Sequence, residues 1–222
     1  MSTINFIHET IDFPEMTAEI IEGIGRIYTT PEGAKYPSVT TVLSKASDQS
    51  WIAEWHARVG KEHAARVLAQ AGRRGTAIHE LAEEYLKNNV AYKKGHMPSN
   101  IFMFSQIKSI LDKNITKIYG LEVPLYSDKL KVAGRVDVLA DWNENLSIID
   151  FKTSKRMKLR EDIPNYFIQA SAYAWMTWER TGLLPGQIVI VIMFDDDNPL
   201  VYVERTRDWI QKFIDMRKSV DI

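Results

Sequence analysis

Gly134-Arg135-Val136-Asp137 and, a little further on, Ile148-Ile149-Asp150-Phe151-Lys152-Thr153-Ser154 decide how this chain is read. β-Branched and aromatic residues flank both aspartates, so both segments read as strands. Asp141-Trp142-Asn143-Glu144-Asn145 between them is turn chemistry, although Asn-Glu is not the favoured Asn-Gly pair. A turn centred on Asn143-Glu144 sets Asp137 directly opposite Asp150. Opposed residues share a face, and so do residues two apart, so Lys152 joins the two carboxylates. A bulge or a one-residue slip would undo this register.

Such a face has two readings. One is an Asp150–Lys152 ion pair on a solvated sheet, which is common and contributes little. The other is a divalent-metal site: hard cations take one or two carboxylates and fill their remaining positions with water and phosphate oxygens. A neighbouring lysine then orients or deprotonates water, or neutralises a phosphate.

With 222 residues the chain suits one domain with a real core, or a domain with a small appendage. Its net charge of −1 gives no global signal for nucleic acid, so any such binding must use local patches. The absence of cysteine excludes disulfides, Cys-ligated zinc and a Cys-held iron–sulfur cluster in this chain. No apolar run reaches membrane-spanning length. The acidic N-terminal stretch resembles neither a secretory nor a transit peptide, so a cytoplasmic setting, without membrane association, is expected.

Ile4–Ile7 and Arg26–Thr30 are short strand candidates, and Glu19–Glu22 suits a helical turn. In Tyr36-Pro37-Ser38-Val39-Thr40-Thr41-Val42-Leu43, Ser38 or Thr40 can cap a helix, and such a start also suits a phosphate. Trp51–Gln70 is helical by its apolar spacing. Ala71-Gly72-Arg73-Arg74-Gly75 then breaks the pattern, and Thr76 caps a second helix to about Asn88. His79 lies on that helix; a lone histidine is more often structural than a ligand. Ile101–Lys113 is a helix, followed by strands at Ile115–Tyr126, Leu130–Asp141 and Leu146–Thr153. Glu122 in the first of these is either an edge charge or a third carboxylate near the site. Lys152 to Arg160 holds five basic residues and no acid, which suits either a solvated loop or a phosphate backbone. Ile163–Arg180 is a helix with Gln169 and Tyr173 one turn apart. Gln187–Phe194 is nearly pure apolar, so it should be a central strand covered on both faces. Asp195-Asp196-Asp197 is a turn, Leu200–Glu204 a strand and Arg207–Lys218 a terminal helix.

Four short motifs in this order resemble the PD-(D/E)xK nuclease superfamily, in its RecB-like exonuclease branch. They are His79 in a glycine-preceded helix, Gly134–Asp137, Asp150–Thr153 and Gln169–Tyr173. The segment from Tyr36 to Leu43 further resembles the mitochondrial-genome-maintenance exonucleases and their phage-encoded relatives. The resemblance covers roughly residues 25–205. It implies an α/β fold: an αβββαβ mixed sheet flanked by helices over residues 99–222, after an N-terminal helical and β-hairpin extension over 1–98.

The resemblance also implies roles. Asp137 and Asp150 would ligate Mg²⁺ or Mn²⁺, with the Phe151 carbonyl, His79 and, less securely matched, Glu122 as further ligands. Lys152 would position the attacking water. Gln169 and Tyr173 would hold the DNA backbone, and Ser38, Thr40 and Thr41 a strand end. Arg74, Thr153, Ser154, Lys155 and Arg156 are the remaining DNA-binding candidates. The helices over residues 51–88 would roof the site, and Tyr36, Trp51 and Trp55 can stack on bases, though core packing is their commoner use. The expected activity is metal-dependent exonuclease cleavage of single-stranded DNA in replication, recombination or repair. Any helicase, recombinase or single-strand-binding partner would be a separate chain. A duplex-resecting exonuclease or structure-specific endonuclease of the same fold, and a non-catalytic nucleic-acid-binding module, remain alternatives.

Overall fold

The structure is a computed structural model that describes residues 5–48, 50–195 and 197–222, apart from the side chains of Trp51 and Ala53. Ile4, Asp196 and any stacking by Trp51 therefore lie outside the described residues. In chain order the elements are β1 (Ile7–His8), β2 (Thr17–Ile21), β3 (Gly25–Thr29), β4 (Lys35–Pro37), α1 (Val39–Ala46), α2 (Ser50–Val59) and α3 (Lys61–Leu86). Then follow α4 (Pro98–Asn114), β5 (Ile115–Ser127), β6 (Val132–Trp142), β7 (Asn145–Ser154), α5 (Pro164–Thr181), β8 (Gln187–Phe194), β9 (Leu200–Arg205) and α6 (Ile210–Ser219).

The central sheet has the order β1-β5-β6-β7-β8-β9. β5, β6 and β7 form an antiparallel meander, β7 and β8 are parallel, and α5 makes the crossover between them. This is the mixed αβββαβ sheet expected from α4 to β8. The β6–β7 register is the expected one from Trp142↔Asn145 to Val138↔Ile149, but pairing ends there, so the expected Asp137–Asp150 cross-strand pair does not form and Asp137 takes the Phe151 N–H instead. Asn143 and Glu144 both take positive φ, 49° and 65°, as a two-residue hairpin with a primed turn requires.

β8 shows why the core forms. Its alternate residues Ile188, Ile190, Ile192 and Phe194 join one apolar cluster with α1, α5 and α6. Val189, Val191 and Met193 join another, with Ile78, Leu81 and Leu86 of α3 and Phe104, Ile107 and Leu111 of α4. The sheet is thus covered on both faces, and each such fully buried side chain contributes about 1.5–3 kcal/mol. Ala170, Ala172 and Ala174 are buried, which lets α5 lie close to the strands.

Two local expectations are corrected. α3 runs without a break through Gly72, Gly75 and Thr76, so Thr76 lies inside a helix and caps nothing. Two interior glycines cost about 1 kcal/mol each, and the buried face from Ile78 to Leu86 outweighs that. The break falls instead at Gly60, whose φ of 82° suits glycine and which divides the expected Trp51–Gln70 helix. Glu19–Glu22 is not a helical turn. Thr17–Ile21 is a strand, because β3 offers it a complete antiparallel partner from Thr17↔Thr29 to Ile21↔Gly25, whereas a single helical turn pays the nucleation cost with nothing to pack against. The small β2-β3-β4 sheet meets the main sheet at the Ser38↔Ala133 bridge. No helix among the described residues is long and apolar enough to cross a membrane.

Candidate active site

The site lies where the meander forks. Pairing between β6 and β7 stops at Val138↔Ile149, while β7 stays paired to β8 as far as Ser154↔Phe194. The Asp137 carboxylate turns into the opening and takes the backbone N–H of Phe151 on Oδ2 at 2.7 Å. Asp150, one residue earlier on β7, is buried and forms an ion pair with Lys152. From α5, Gln169 Nε2 donates to Tyr173 Oη at 3.1 Å and lies 3.4 Å from Asp150 Oδ1. The Tyr173 ring rests on Gly134, where a methyl group would stand 2.7 Å from Cε1. Glycine in that motif is therefore a packing requirement that places the tyrosine beside Asp150.

The opposite helix layer closes the fork. His79 reaches from α3 with Nε2 3.0 Å from the Phe151 carbonyl and Nδ1 3.4 Å from Asp137 Oδ1. Glu122 Oε1 lies 3.9 Å from the same Nδ1. Glu122 falls between the pairs Leu121↔Val138 and Val123↔Val136, opposite Asp137, with a left-handed φ of 49°. Such backbone is costly for a glutamate and persists where the surroundings hold it. Here Arg135 Nη1 donates to the Glu122 carbonyl at 2.6 Å.

The charges follow from this crowding. Burial opposes a charged His79, but the carboxylates of Asp137 and Glu122 outweigh it and raise its pKa to about 10. Burial likewise opposes an ionised Asp137, and His79, Lys152 and the Phe151 N–H together hold its pKa below the ordinary value. Asp150 goes the other way: burial, with Asp137 adding, lifts it to about 6 against the pull of Lys152. Burial works against the Lys152 ammonium, yet Asp150 and Asp137 keep it charged. The imidazolium thus sits among carboxylates as a cation. One ligand atom each from His79, Glu122 and Asp137 lies within 4.8 Å of the others. Carboxylate and carbonyl oxygens with a single imidazole fit a hard divalent cation such as Mg²⁺ or Mn²⁺.

These groups line a cleft of about 540 Å³, walled on the far side by the β2–β3 hairpin. Ser38 and Thr40 line it too, with Ser38 capping α1 through the N–H of Thr41. Thr41 turns inward: its Oγ1 accepts from Arg26 N at 3.0 Å, so its hydroxyl does not face the cleft. Thr153 and Ser154 continue β7 past Lys152, and Ser154 Oγ donates to the Arg156 carbonyl. Lys155 and Arg156 are exposed, with no ion pair among the described residues. Arg74 is taken up by Asp195, Nη1 meeting both carboxylate oxygens at 2.7 and 2.8 Å, so it does not reach the cleft. Arg160 is likewise paired with Glu204. Tyr36 donates to Asp128 and packs in a small cluster with Tyr28 and Tyr126, and Trp55 leans on His56.

Three residues that the sequence reading passed over belong here. Arg26 and Arg135 line the cleft, and Arg135 was signalled by its two-residue spacing from Asp137 on one strand. Tyr166 lies one helical turn before Gln169, with the Lys152 ammonium 5.3 Å from its ring centroid.

The chain is 26% identical over 146 residues to mitochondrial genome maintenance exonuclease 1 of Xenopus tropicalis, a match spanning 62% of this chain and 42% of that protein. It is similar to the crystal structure of a proposed exonuclease from Eubacterium rectale at a TM-score of 0.47, with 14% identity over 66% of this chain and 64% of the other. It is similar to the structure of SSO0001 at 0.34, with 17% identity over 66% and 75%. The assignment does not rest on these two structural likenesses. It rests on residues 101–215, just over half of the chain, which match the model of the PD-(D/E)XK nuclease superfamily; the chain belongs to that superfamily.

Proposed function

We propose that the protein is a Mg²⁺- or Mn²⁺-dependent DNA exonuclease that hydrolyses single-stranded DNA from a free end, in replication, recombination or repair. The observation that carries this reading is the meeting of His79, Glu122 and Asp137 with Asp150 and Lys152 at the β6–β7 fork, inside one cleft. Asp137, Asp150, Glu122 and the Phe151 carbonyl would hold the ion, with His79 as a nitrogen ligand once it gives up its proton. When bound there, the ion supplies Lewis-acid polarisation of a phosphoryl oxygen and acidifies water.

The remaining chemistry is the chain's own. Lys152 stays protonated, so its N–H groups orient water and offset phosphate charge rather than remove a proton. Gln169 and Tyr173 hold Asp150 in place and offer polar groups to the strand backbone. Ser38 and Thr40 offer hydroxyls beside a helix start, a natural place for a terminal or passing phosphate. A separate helicase, recombinase or single-strand-binding protein would supply the strand.

The cleft lies between His79 on one side and the β2–β3 hairpin on the other. A single strand can bend its phosphates between such walls, whereas a duplex is stiff over many base pairs. A strand threaded there needs a free end. Linear and covalently closed circular single-stranded DNA of one sequence test this. The linear form should be degraded to short products and the circle spared. Equal degradation of the circle would overturn the exonuclease reading and leave an endonuclease of the same fold.

A further inference from the structure

We propose that Arg135 is a binding site for a non-scissile phosphate of the DNA strand, and that Glu15 occupies it in the free protein as a carboxylate stand-in. This rests on the nuclease reading above. Arg135 sits two residues before Asp137 on β6. It lines the cleft that holds Asp137 and Asp150, and also an adjoining cleft of about 510 Å³ lined by Glu80, Glu83 and Thr76. His79 and Glu122 border both clefts, so a strand passing from one to the other crosses Arg135.

In the adjoining cleft a polyanion meets Glu80, Glu83 and Glu122, and Arg135 and the His79 imidazolium are the cations that line it. Its guanidinium carries five N–H donors. One nitrogen holds the Glu122 carbonyl, and Nη2 donates to Glu15 Oε2 at 2.8 Å. The Glu15 side chain is 74% exposed and that of Arg135 34%, so this is a surface pair of small net worth. A carboxylate and a phosphate offer a guanidinium the same pair of oxygens, and the phosphate is a full substitute. Glu15 is held nearby by a strap along β5, in which Glu9 N–H donates to Ile118 O and Ile11 N–H to Tyr119 O, both at 2.9 Å. The strap ends at Met16, which lines the cleft. Glu15 can thus swing off Arg135 without loss of the strap's anchoring bonds.

The test is a binding cycle with fluorescein-labelled oligothymidylate in Ca²⁺, comparing wild type, Glu15→Gln, Arg135→Gln and the double variant. Glu15→Gln removes the competitor and should tighten binding about two- to fivefold. Arg135→Gln should weaken it by about tenfold or more and reduce the salt slope by about 0.7. In the double variant the gain from Glu15→Gln should vanish. If that gain persists without Arg135, Glu15 acts as a general repulsive charge and the proposal fails; an unchanged affinity in Glu15→Gln also overturns it. Glu15 touches no proposed metal ligand, so Mg²⁺-dependent cleavage by Glu15→Gln tests the nuclease reading separately from the binding cycle.

Discussion

Lys152 has its ammonium held between the Asp150 carboxylate and the face of Tyr166. Two carboxylates keep it charged despite its burial, so in the proposed reaction it would be a fixed cation beside the phosphate. Lys152→Ala should lower kcat by about two to three orders of magnitude with little change in KM. A loss of affinity alone would reduce Lys152 to a phosphate contact. Asp150 and His79 give the site a pH signature. A carboxyl held up to about 6 must lose its proton before it can ligate, so metal affinity falls as pH falls through 6. A histidine held at about 10 must also deprotonate to ligate, so wild-type affinity should keep climbing between pH 6 and 9. In His79→Gln the climb should follow the Asp150 carboxyl alone, which titrates above 6 once the imidazolium's lowering pull is gone, and then level off. Mn²⁺ titrations across that range read this directly, and identical profiles would remove His79 from the ligand set.

At the level of the strands and helices, the hairpin was legible because turn chemistry and alternation act within a few residues. A turn at Asn143-Glu144 fixes the β6–β7 register as far as Val138↔Ile149, which sets Asp137 just past the last pair, on the Phe151 N–H beside Asp150. β8 was legible because a run of apolar side chains can only be covered on both faces. α3 was not: Gly72 and Gly75 look like a break, and what overrides them is packing against β7 and α4, distant in sequence. The taking up of Arg74 by Asp195 was hidden for the same reason, since 121 residues separate the pair. The continuous helix makes a prediction of its own. A side chain at Gly72 meets nothing within 4 Å, so Gly72→Ala should add about 0.5–1 kcal/mol of stability in chemical denaturation. Destabilisation would mean that the helix is interrupted there after all.

The whole molecule carries a net charge of −1, yet its reading requires it to bind a polyanion. Affinity must then come from placement. Lys155 and Arg156 follow β7 directly, exposed and without carboxylate partners among the described residues, whereas Arg74 and Arg160 are paired. Neutralising Lys155 and Arg156 together should reduce the salt slope of single-strand binding by about 1.4; an unchanged slope would put the strand's path elsewhere. We propose that the fork between β6 and β7 is a metal-dependent hydrolytic site. Its most direct test is cleavage of an end-labelled linear single strand, titrated with Mg²⁺, by wild type and by Asp150→Asn. Short products should come from the wild type only when Mg²⁺ is present, and none from Asp150→Asn although it still binds DNA. Turnover by Asp150→Asn near the wild-type rate at ordinary Mg²⁺, or equal wild-type cleavage in EDTA, would contradict it.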